Sequence, residues 1–356
     1  MKERINKVAK IKIGFIGGGG IAREHMKHLS EIEDVELIAV TDISKPALDL
    51  CQETYGIPHG FTDYKEMLEM DAIDAVTVGT PNSAHFEPTI DALRSGKDVL
   101  VEKPMAITAE EAAEMVKTSR DTDRLLVIGF QYRFSSEAQM LKRFIDRGEF
   151  GKILYGRCLA LRRRGIPNWG VFGRKDLQGG GALIDIGVHM IEAAHYLMGS
   201  PQPISAFGST YTYLGDRPSE TVSMWPDWDH KTYSVEDLAV GMIRFDNGAT
   251  LSVESSFAAH IGKGEWNFSL MGEKSGGQYS PPMVFKDQSG TMINMTPDHL
   301  PDINPFRYKM EHFVECIKTR QPSEAPGEHG VLVQQILNGI YRSAETGTEV
   351  PIEPII

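Results

Sequence analysis

Cysteine is scarce in this sequence: Cys51, Cys158 and Cys316 are the only 3 among 356 residues. They lie far apart, form no C-x-x-C pair and leave one unmatched. That excludes a disulfide framework and points to a reducing, cytoplasmic compartment in which they serve as small buried apolar residues. Positive charge is also in deficit, with 37 Lys and Arg against 49 Asp and Glu and a formal net charge of −12. Polyanions are repelled by such a surface, so neither nucleic acid nor an anionic membrane is expected as a partner, whereas a small molecule is. Long apolar runs are missing as well. The N-terminus carries Lys and Arg but no apolar h-region, and no stretch approaches the roughly 20 residues of a membrane span. At this length one hydrophobic core is usually exceeded, so two domains are expected.

Glycine, by contrast, is plentiful and clustered. In Lys12-Ile13-Gly14-Phe15-Ile16-Gly17-Gly18-Gly19-Gly20-Ile21-Ala22 a β-branched, apolar run stops at glycines and a helical pattern follows, with Ile21, Ala22, Met26 and Leu29 at helical spacing. Gly17, Gly19 and Ala22 occupy the three small-residue positions of G-x-G-x-x-G/A: one for the turn, one for backbone approach to a pyrophosphate, one for helix-on-strand packing. Free amides around Gly20 and Ile21 would face the phosphates. On its own this is equally a glycine turn without a ligand. A second apolar strand, Val35 to Val40, however, ends at Thr41-Asp42. Asp42 thus falls about 20 residues past the fingerprint, where a carboxylate accepts the adenosine ribose hydroxyls. A carboxylate there repels a 2′-phosphate, favouring NAD over NADP; Arg23 on the first helical turn reads as a solvated residue or a pyrophosphate contact.

Strand and helix patterns then alternate, which predicts a parallel sheet with right-handed crossovers. A helix is expected over 45–55, a short segment at 59–61, a helix over 64–70 and a buried strand over 73–78. Its carboxyl end, Gly79-Thr80-Pro81-Asn82, should line the ligand crevice. The helix from Ser83 to Ser95 carries His85 in its first turn, either as a satisfied first-turn histidine or on the cofactor side. The next strand, Val99 to Val101, delivers Glu102, Lys103 and Pro104 to the same edge. A Glu-Lys pair is commonly a surface salt bridge, but the strand pattern aims this one at the crevice, and Lys103-Pro104 is a candidate cis bond. Thr108 and Glu111 form a capping box for a helix over 108–119. The strand Leu125 to Gly129 closes this half, giving a Rossmann domain over 1–129 and an α+β domain over 130–356.

Beyond Gly129, where Gln131-Tyr132-Arg133-Phe134 leads out, the strands become longer and sequential: 152–162, 204–213, 238–245, 250–256 and 266–271. Asp246-Asn247-Gly248 reads as a hairpin turn between two of them. An open, mostly antiparallel sheet is expected, with late helices over 305–319 and 330–345 that cover it or return to the first domain. Its exposed face, with apolar residues such as Leu251, Val253 and Phe257, should form a homo-oligomer interface. One helix stands out, opening at Gln178-Gly179-Gly180-Gly181 and running through Leu197. Asp185 and His189, four apart, share a face and can touch. They are a structural pair, a functional dyad, or part of a zinc set with His195 or Glu192, although the spacing matches no known ligand set.

Taken together, Gly17-x-Gly19-x-x-Ala22, Thr80-Pro81-Asn82 with His85, Glu102-Lys103-Pro104, and Gly179-Gly180-Gly181-x-x-x-Asp185-x-Gly187-x-His189 resemble the glucose-fructose oxidoreductase, inositol dehydrogenase and rhizopine-catabolism (Gfo/Idh/MocA) family over essentially the whole chain. The resemblance implies a Rossmann domain followed by an open-faced β-sheet domain, dimers or tetramers paired through that sheet, and NAD(P)-linked oxidation of a secondary hydroxyl of a sugar, cyclitol or glycoside. It makes Lys103 the catalytic lysine, Asp185 and His189 the polar dyad, and Glu102 a contact on the nicotinamide side, with Pro81, Asn82 and His85 lining the nicotinamide ribose. His189 suits the role of base, Asp185 that of its orienting partner, and Lys103 that of hydrogen-bond donor to the substrate oxygen, Lys103 being the other candidate base. For the substrate pocket, Arg133, Arg164 and Trp169 are candidates, the last two on Arg162-Arg163-Arg164-Gly165-Ile166-Pro167-Asn168-Trp169. These residues serve equally as an edge strand and packed loop. The long polar loop from Leu214 to Tyr233 is a lid or an oligomer contact. Two other functions stay open: an enzyme that retains NAD and cleaves or interconverts glycosides by transient oxidation, and an NAD-binding regulator without turnover. No metal is expected.

Overall fold

The computed structural model describes residues 10–356. Its first sheet has six strands, β1 (Ile11–Ile16), β2 (Val35–Thr41), β3 (His59–Phe61), β4 (Ala75–Val78), β5 (Asp98–Val101) and β6 (Leu126–Ile128). They lie in the order β3-β2-β1-β4-β5-β6, every neighbouring pair parallel. Both faces are covered by helices α1 (Gly20–Ser30), α2 (Lys45–Tyr55), α3 (Tyr64–Leu68), α4 (Phe86–Arg94) and α5 (Ala109–Thr122). β4 and β5 are buried along their whole length, which is why their sequences read as unbroken runs instead of alternating. The strand order reverses between β1 and β4, and the carboxyl ends of β1, β4 and β5 open there onto one crevice. α5 has the expected capping box: Thr108 Oγ1 accepts from Glu111 N at 3.1 Å and the Glu111 carboxylate accepts from Thr108 N at 3.2 Å.

The second sheet has nine strands, β7 (Ile153–Leu161), β8 (Pro203–Tyr211), β9 (Leu238–Phe245), β10 (Thr250–Ser256), β11 (Glu265–Gly272), β12 (Ser275–Gln278), β13 (Met283–Gln288), β14 (Thr291–Met295) and β15 (Val350–Pro351). Its order is β14-β13-β12-β11-β7-β10-β9-β8-β15, antiparallel except between β7 and β10. β9 and β10 join through Asp246-Asn247-Gly248, with Gly248 at φ +85, as the hairpin signal predicts. The second half also holds α6 (Ser136–Asp146), α7 (Lys175–Gln178), a wide π-helical turn (Leu183–Gly187) running into α8 (Val188–Leu197), α9 (Pro305–Thr319) and α10 (Gly327–Thr346).

One expectation about this sheet is corrected by its alternation. Leu251, Val253 and Phe257 are buried, on the face packed against the π-turn and α8, and do not lie on the outer face. The apolar residues that point outward are Leu154, Phe207, Met242 and Met271, each 44–51% exposed. Both alternatives for the late helices are realised: α9 packs on α1, and α10 lies against β8 and α5. Between α9 and α10 the chain touches the first sheet, where Ile128 N donates to Ala325 O at 2.9 Å. No described helix is long and apolar enough to cross a membrane.

Candidate active site

The crevice is built first from glycine. Gly17 sits at φ +100, and a Cβ there would come within 2.8 Å of Gly79 O, so the β1 turn and the β4 turn meet without side chains. Gly19 and Gly20 are different: nothing lies within 4 Å of where their Cβ atoms would be, and both are exposed. A close-packed turn therefore leads to side-chain-free backbone at the first turn of α1, the surroundings a pyrophosphate requires. Ala22 is buried against Gly79, completing the small-residue contact of helix and strand. Asp42 follows β2, its Oδ2 accepting from Gly18 N and its Oδ1 from Ser44 N, each at 2.7 Å. These bonds fix the carboxylate beside the glycine turn.

Thr80 and Asn82 are tied down by the protein itself. Thr80 Oγ1 donates to Ala84 O at 2.7 Å and Asn82 Nδ2 to Gln178 O at 2.9 Å, the latter clasping the β4 loop to the glycines before the π-turn. Pro81 is exposed between them. Both ring nitrogens of His85 lie near carbonyl oxygens, Nδ1 2.7 Å from Pro104 O and Nε2 2.9 Å from Thr80 O. A buried imidazole in that setting braces the β4 loop against the cis Lys103-Pro104 bond and has no nitrogen to spare; burial also lowers its pKa.

At the end of β5, Glu102 turns inward. Its Oε1 accepts from His25 Nε2 of α1 at 2.9 Å and from the fully buried Lys309 of α9, while Oε2 accepts from Lys103 N at 3.1 Å. Burial pushes its carboxyl pKa up, but Lys309 and His25 outweigh that and hold it well below the usual range. The cofactor helix, the lysine-bearing turn and α9 are thus joined through one carboxylate. Lys103 then points the other way, its Nζ 2.8 Å from Asp185 O and 3.1 Å from Asp185 Oδ1, with each side chain 15% exposed.

Asp185 lies within the π-turn, a geometry that places its carboxylate on Lys103 and not on His189 as an ordinary i, i+4 pair would. No hydrogen bond joins Asp185 to the imidazole, which corrects the expected orienting role. Instead His189 packs between aromatics, with ring centroids 5.1 Å from Tyr132 and 6.0 Å from Trp266. His189 Nδ1 and Trp266 Nε1 are both buried without a hydrogen-bond partner among the described residues. Burial, then the charge of Lys103, holds the His189 pKa well below 6.5. The start of the π-turn is fixed by Glu236, whose carboxylate accepts from Gly181 N at 2.8 Å and Leu183 N at 2.9 Å and from the Tyr341 hydroxyl at 2.9 Å. A negative cap on these amides also favours the helix dipole.

The other candidates are placed less centrally. Arg133 is fully buried: Nε binds Glu192 Oε2 at 2.7 Å, Nη1 reaches Glu324 O and His329, and the guanidinium lies over the Phe130 and Tyr196 rings. It braces α8 from behind and does not face the crevice. Arg164 donates to the Arg163 and Ala259 carbonyls. Trp169 is 48% exposed and edge-on to Trp225 at 4.6 Å, so the 162–170 segment packs on the 214–233 loop. Glu192 is taken by Arg133, and His195 Nε2 donates to Pro201 O, so they do not converge on Asp185 and His189; among the described residues no cluster is built to hold a metal ion. Four residues of the site carry no local sequence signal: Tyr132, Arg162, Glu236 and Trp266. The triple arginine marks Arg162's segment, but not which arginine turns inward.

A glycine cradle on a doubly wound sheet, with a half-buried lysine at the end of β5 meeting an aspartate and a histidine from the second half of the chain, defines a dinucleotide-dependent oxidoreductase. Residues 11–130 match an oxidoreductase family with an NAD-binding Rossmann fold, and residues 142–352 match the C-terminal alpha/beta domain of the same family. The chain belongs to this family, Gfo/Idh/MocA. It is 36% identical to the D-glucoside 3-dehydrogenase of Escherichia coli (strain K12), over 96% of this chain and 97% of the relative. To the scyllo-inositol 2-dehydrogenase (NAD(+)) of Bacillus subtilis (strain 168) it is 26% identical, over 87% of this chain and 86% of the relative. In fold it resembles levoglucosan dehydrogenase in complex with NADH, at a TM-score of 0.85 and 23% identity over 97% of this chain and 100% of that one.

Proposed function

We propose that this protein oxidises a ring secondary hydroxyl of a sugar, cyclitol or glycoside, the 3-hydroxyl of a D-glucoside being the first candidate, with NAD as acceptor. The observation that carries this reading is the meeting of Lys103, paired with Asp185, and a neutral His189 at the carboxyl ends of β4 and β5. The likeness to a D-glucoside 3-dehydrogenase supports the substrate class. The Gly17–Ala22 turn and Asp42 would hold a nicotinamide dinucleotide, which would supply the hydride acceptor. The rest is done by side chains of this chain. His189, uncharged, takes the hydroxyl proton on Nε2, its other nitrogen, Nδ1, being sealed in the interior. Lys103 Nζ donates to the same oxygen and stabilises its developing negative charge, and Asp185 keeps the ammonium in place. Tyr132 and Trp266 wall the ring and exclude water.

The test is NADH formation by the purified protein on a panel of methyl glycosides, free sugars and inositols. Turnover on a glucoside, with 3-keto product by NMR, is expected. Failure of every polyol with NAD bound would overturn the assignment.

The finer cofactor reading rests on Asp42, whose negative charge would face a 2′-phosphate. NAD should bind at least about tenfold tighter than NADP, since one like-charge contact of roughly 1.4 kcal/mol suffices. Titration of both nucleotides checks it, and equal affinities would remove Asp42 from the ribose site. The outer face of the nine-stranded sheet, with Leu154, Phe207, Met242 and Met271, is the proposed homo-oligomer interface.

A further inference from the structure

Arg162 follows β7 directly. Its backbone N–H donates to Ser256 O at 2.9 Å and its carbonyl accepts from Ala259 N at 3.0 Å, which fixes the point where the side chain leaves the sheet. That point adjoins the catalytic helix, because Ser255 Oγ on the neighbouring strand donates to Ala182 O just before the π-turn. The guanidinium is caged: its carbon lies 5.0 Å from the Trp225 ring centre and 5.5 Å from that of Phe257, and Nη1 donates to Gly165 O at 2.9 Å. Gly165 is required for this packing, since a Cβ there would come within 2.8 Å of Arg162 Cδ and 3.4 Å of the Trp225 ring.

Three other buried or half-buried cations of the site each have a carboxylate, Lys103 with Asp185, Lys309 with Glu102 and Arg133 with Glu192, whereas Arg164 spends its donors on the Arg163 and Ala259 carbonyls. Arg162 has no ion-pair partner among the described residues, and its remaining N–H groups meet no acceptor there. Alternation along β7 puts Arg162 on the face of Cys158, whose Sγ donates to Met190 O of α8 at 3.2 Å, and of Ala160, which pairs with Trp266 beside His189, so its side chain leaves the sheet on the side of the reaction chamber. Because Lys309 cancels Glu102, the chamber holds Lys103 and Arg162 against Asp185 alone, one positive charge in excess inside a protein of net charge −12.

We propose that Arg162 is the binding site for an anionic substituent of the substrate, a carboxylate or a phosphate carried on the sugar, and that it sets a preference for acidic sugars over neutral ones. This rests on reading the cleft as the site of sugar oxidation. A planar guanidinium with free N–H groups is suited to bidentate recognition of either anion, and stacking between two rings fixes its orientation before the ligand arrives.

The test uses the NAD-loaded protein with methyl glucoside, methyl glucuronide and glucose 6-phosphate, followed both by NADH formation and by tryptophan fluorescence, for which Trp225 is a built-in reporter. An acidic sugar should exceed the neutral one in kcat/KM, through KM, by about tenfold or more. Which of the two acidic sugars wins distinguishes carboxylate from phosphate. Arg162→Gln should abolish the preference and Arg162→Lys should retain part of it. Arg163→Gln, whose native side chain reaches only Gly262 O, should keep it whole. A wild-type protein that takes neutral glucoside as well as either acid overturns the proposal without recourse to a variant, as does a preference that survives Arg162→Gln. If no sugar reduces NAD yet an acidic sugar binds in an Arg162-dependent manner, the anion site stands and the dehydrogenase reading falls. With turnover of neutral glucosides and no acid preference, the dehydrogenase reading stands and the anion site falls.

Discussion

Burial and the adjoining Lys103 charge hold the His189 pKa well below the ordinary 6.5. A base must be uncharged to accept a proton, so the acid limb of kcat/KM is expected to lie well below the usual imidazole range, and a limb centred near pH 6.5 would contradict this. His189→Ala and Lys103→Ala should each lower kcat by roughly two to four orders of magnitude, with NAD affinity little changed. Steady-state kinetics beside nucleotide titration separates the two effects; near-native turnover in either variant would strip that residue of its role. At the same scale, Tyr132 and Trp266 supply the wall against which the imidazole rests.

Among the elements, two glycines make opposite predictions. Gly19→Ala places its Cβ in open space, so melting should be unaffected while NAD affinity falls about tenfold or more, because the methyl group occupies the cradle. Gly181→Ala drives a Cβ to 2.0 Å from Glu236 O at the cap of the π-turn, and should cost about 1–3 kcal/mol or more in thermal unfolding and take Asp185 out of place. If the two variants behaved alike, the division between a ligand-facing and a packing glycine would be wrong. The same contrast separates what is legible in sequence from what is not. The cradle, the β5 terminus and the glycine-led helix can be read because each is written in one residue type at local spacing. The partners cannot: Glu102 meets Lys309 and Glu236 meets Gly181 across long sequence separations, and no local pattern marks them. Arg133 shows the same limit from the other side, an arginine beside the domain boundary that reads as ligand-facing and is consumed by Glu192. For Asp185 and His189 the four-residue spacing misleads because it presumes an α-helical turn, and the backbone there is π.

Over the whole molecule, buried histidines govern the response to acid. Burial lowers the pKa of His25, His85, His189 and His312, that of His195 to about 4 and that of His329 to about 3. Below pH 6.5 the unfolded chain protonates these groups before the folded one does, so stability is lost as pH falls, at about 1.4 kcal/mol per pH unit each for His195 down to about pH 4 and for His329 down to about pH 3. Glu192, raised to about 7 by burial, acts in the opposite sense and offsets one of them. Denaturant midpoints should therefore drop steeply from pH 6.5 to 4.5; a flat profile would contradict the burial of these rings. The outer sheet face bears on assembly at the same scale. Light scattering should report a dimer or larger at micromolar concentration, and Phe207→Glu, at a 51% exposed position, should shift it toward monomer without unfolding it. A wild-type monomer would contradict the interface.

The bond from Ile128 N to Ala325 O, with α9 seated on α1 and Lys309 on Glu102, has a consequence for how the protein is made. On a ribosome the nucleotide-binding half emerges first, yet the strand edge of β6, the flank of α1 and the charge of Glu102 all wait for residues near 309 and 325. Until those are synthesised, this half carries an open edge and an interior carboxylate that has its hydrogen bonds from His25 and Lys103 N but lacks the Lys309 cation, so through most of translation it is an unfinished body. The second sheet is laid down in that interval. The cradle for the cofactor is thus among the first parts of the chain to be made, while the packing behind it is among the last.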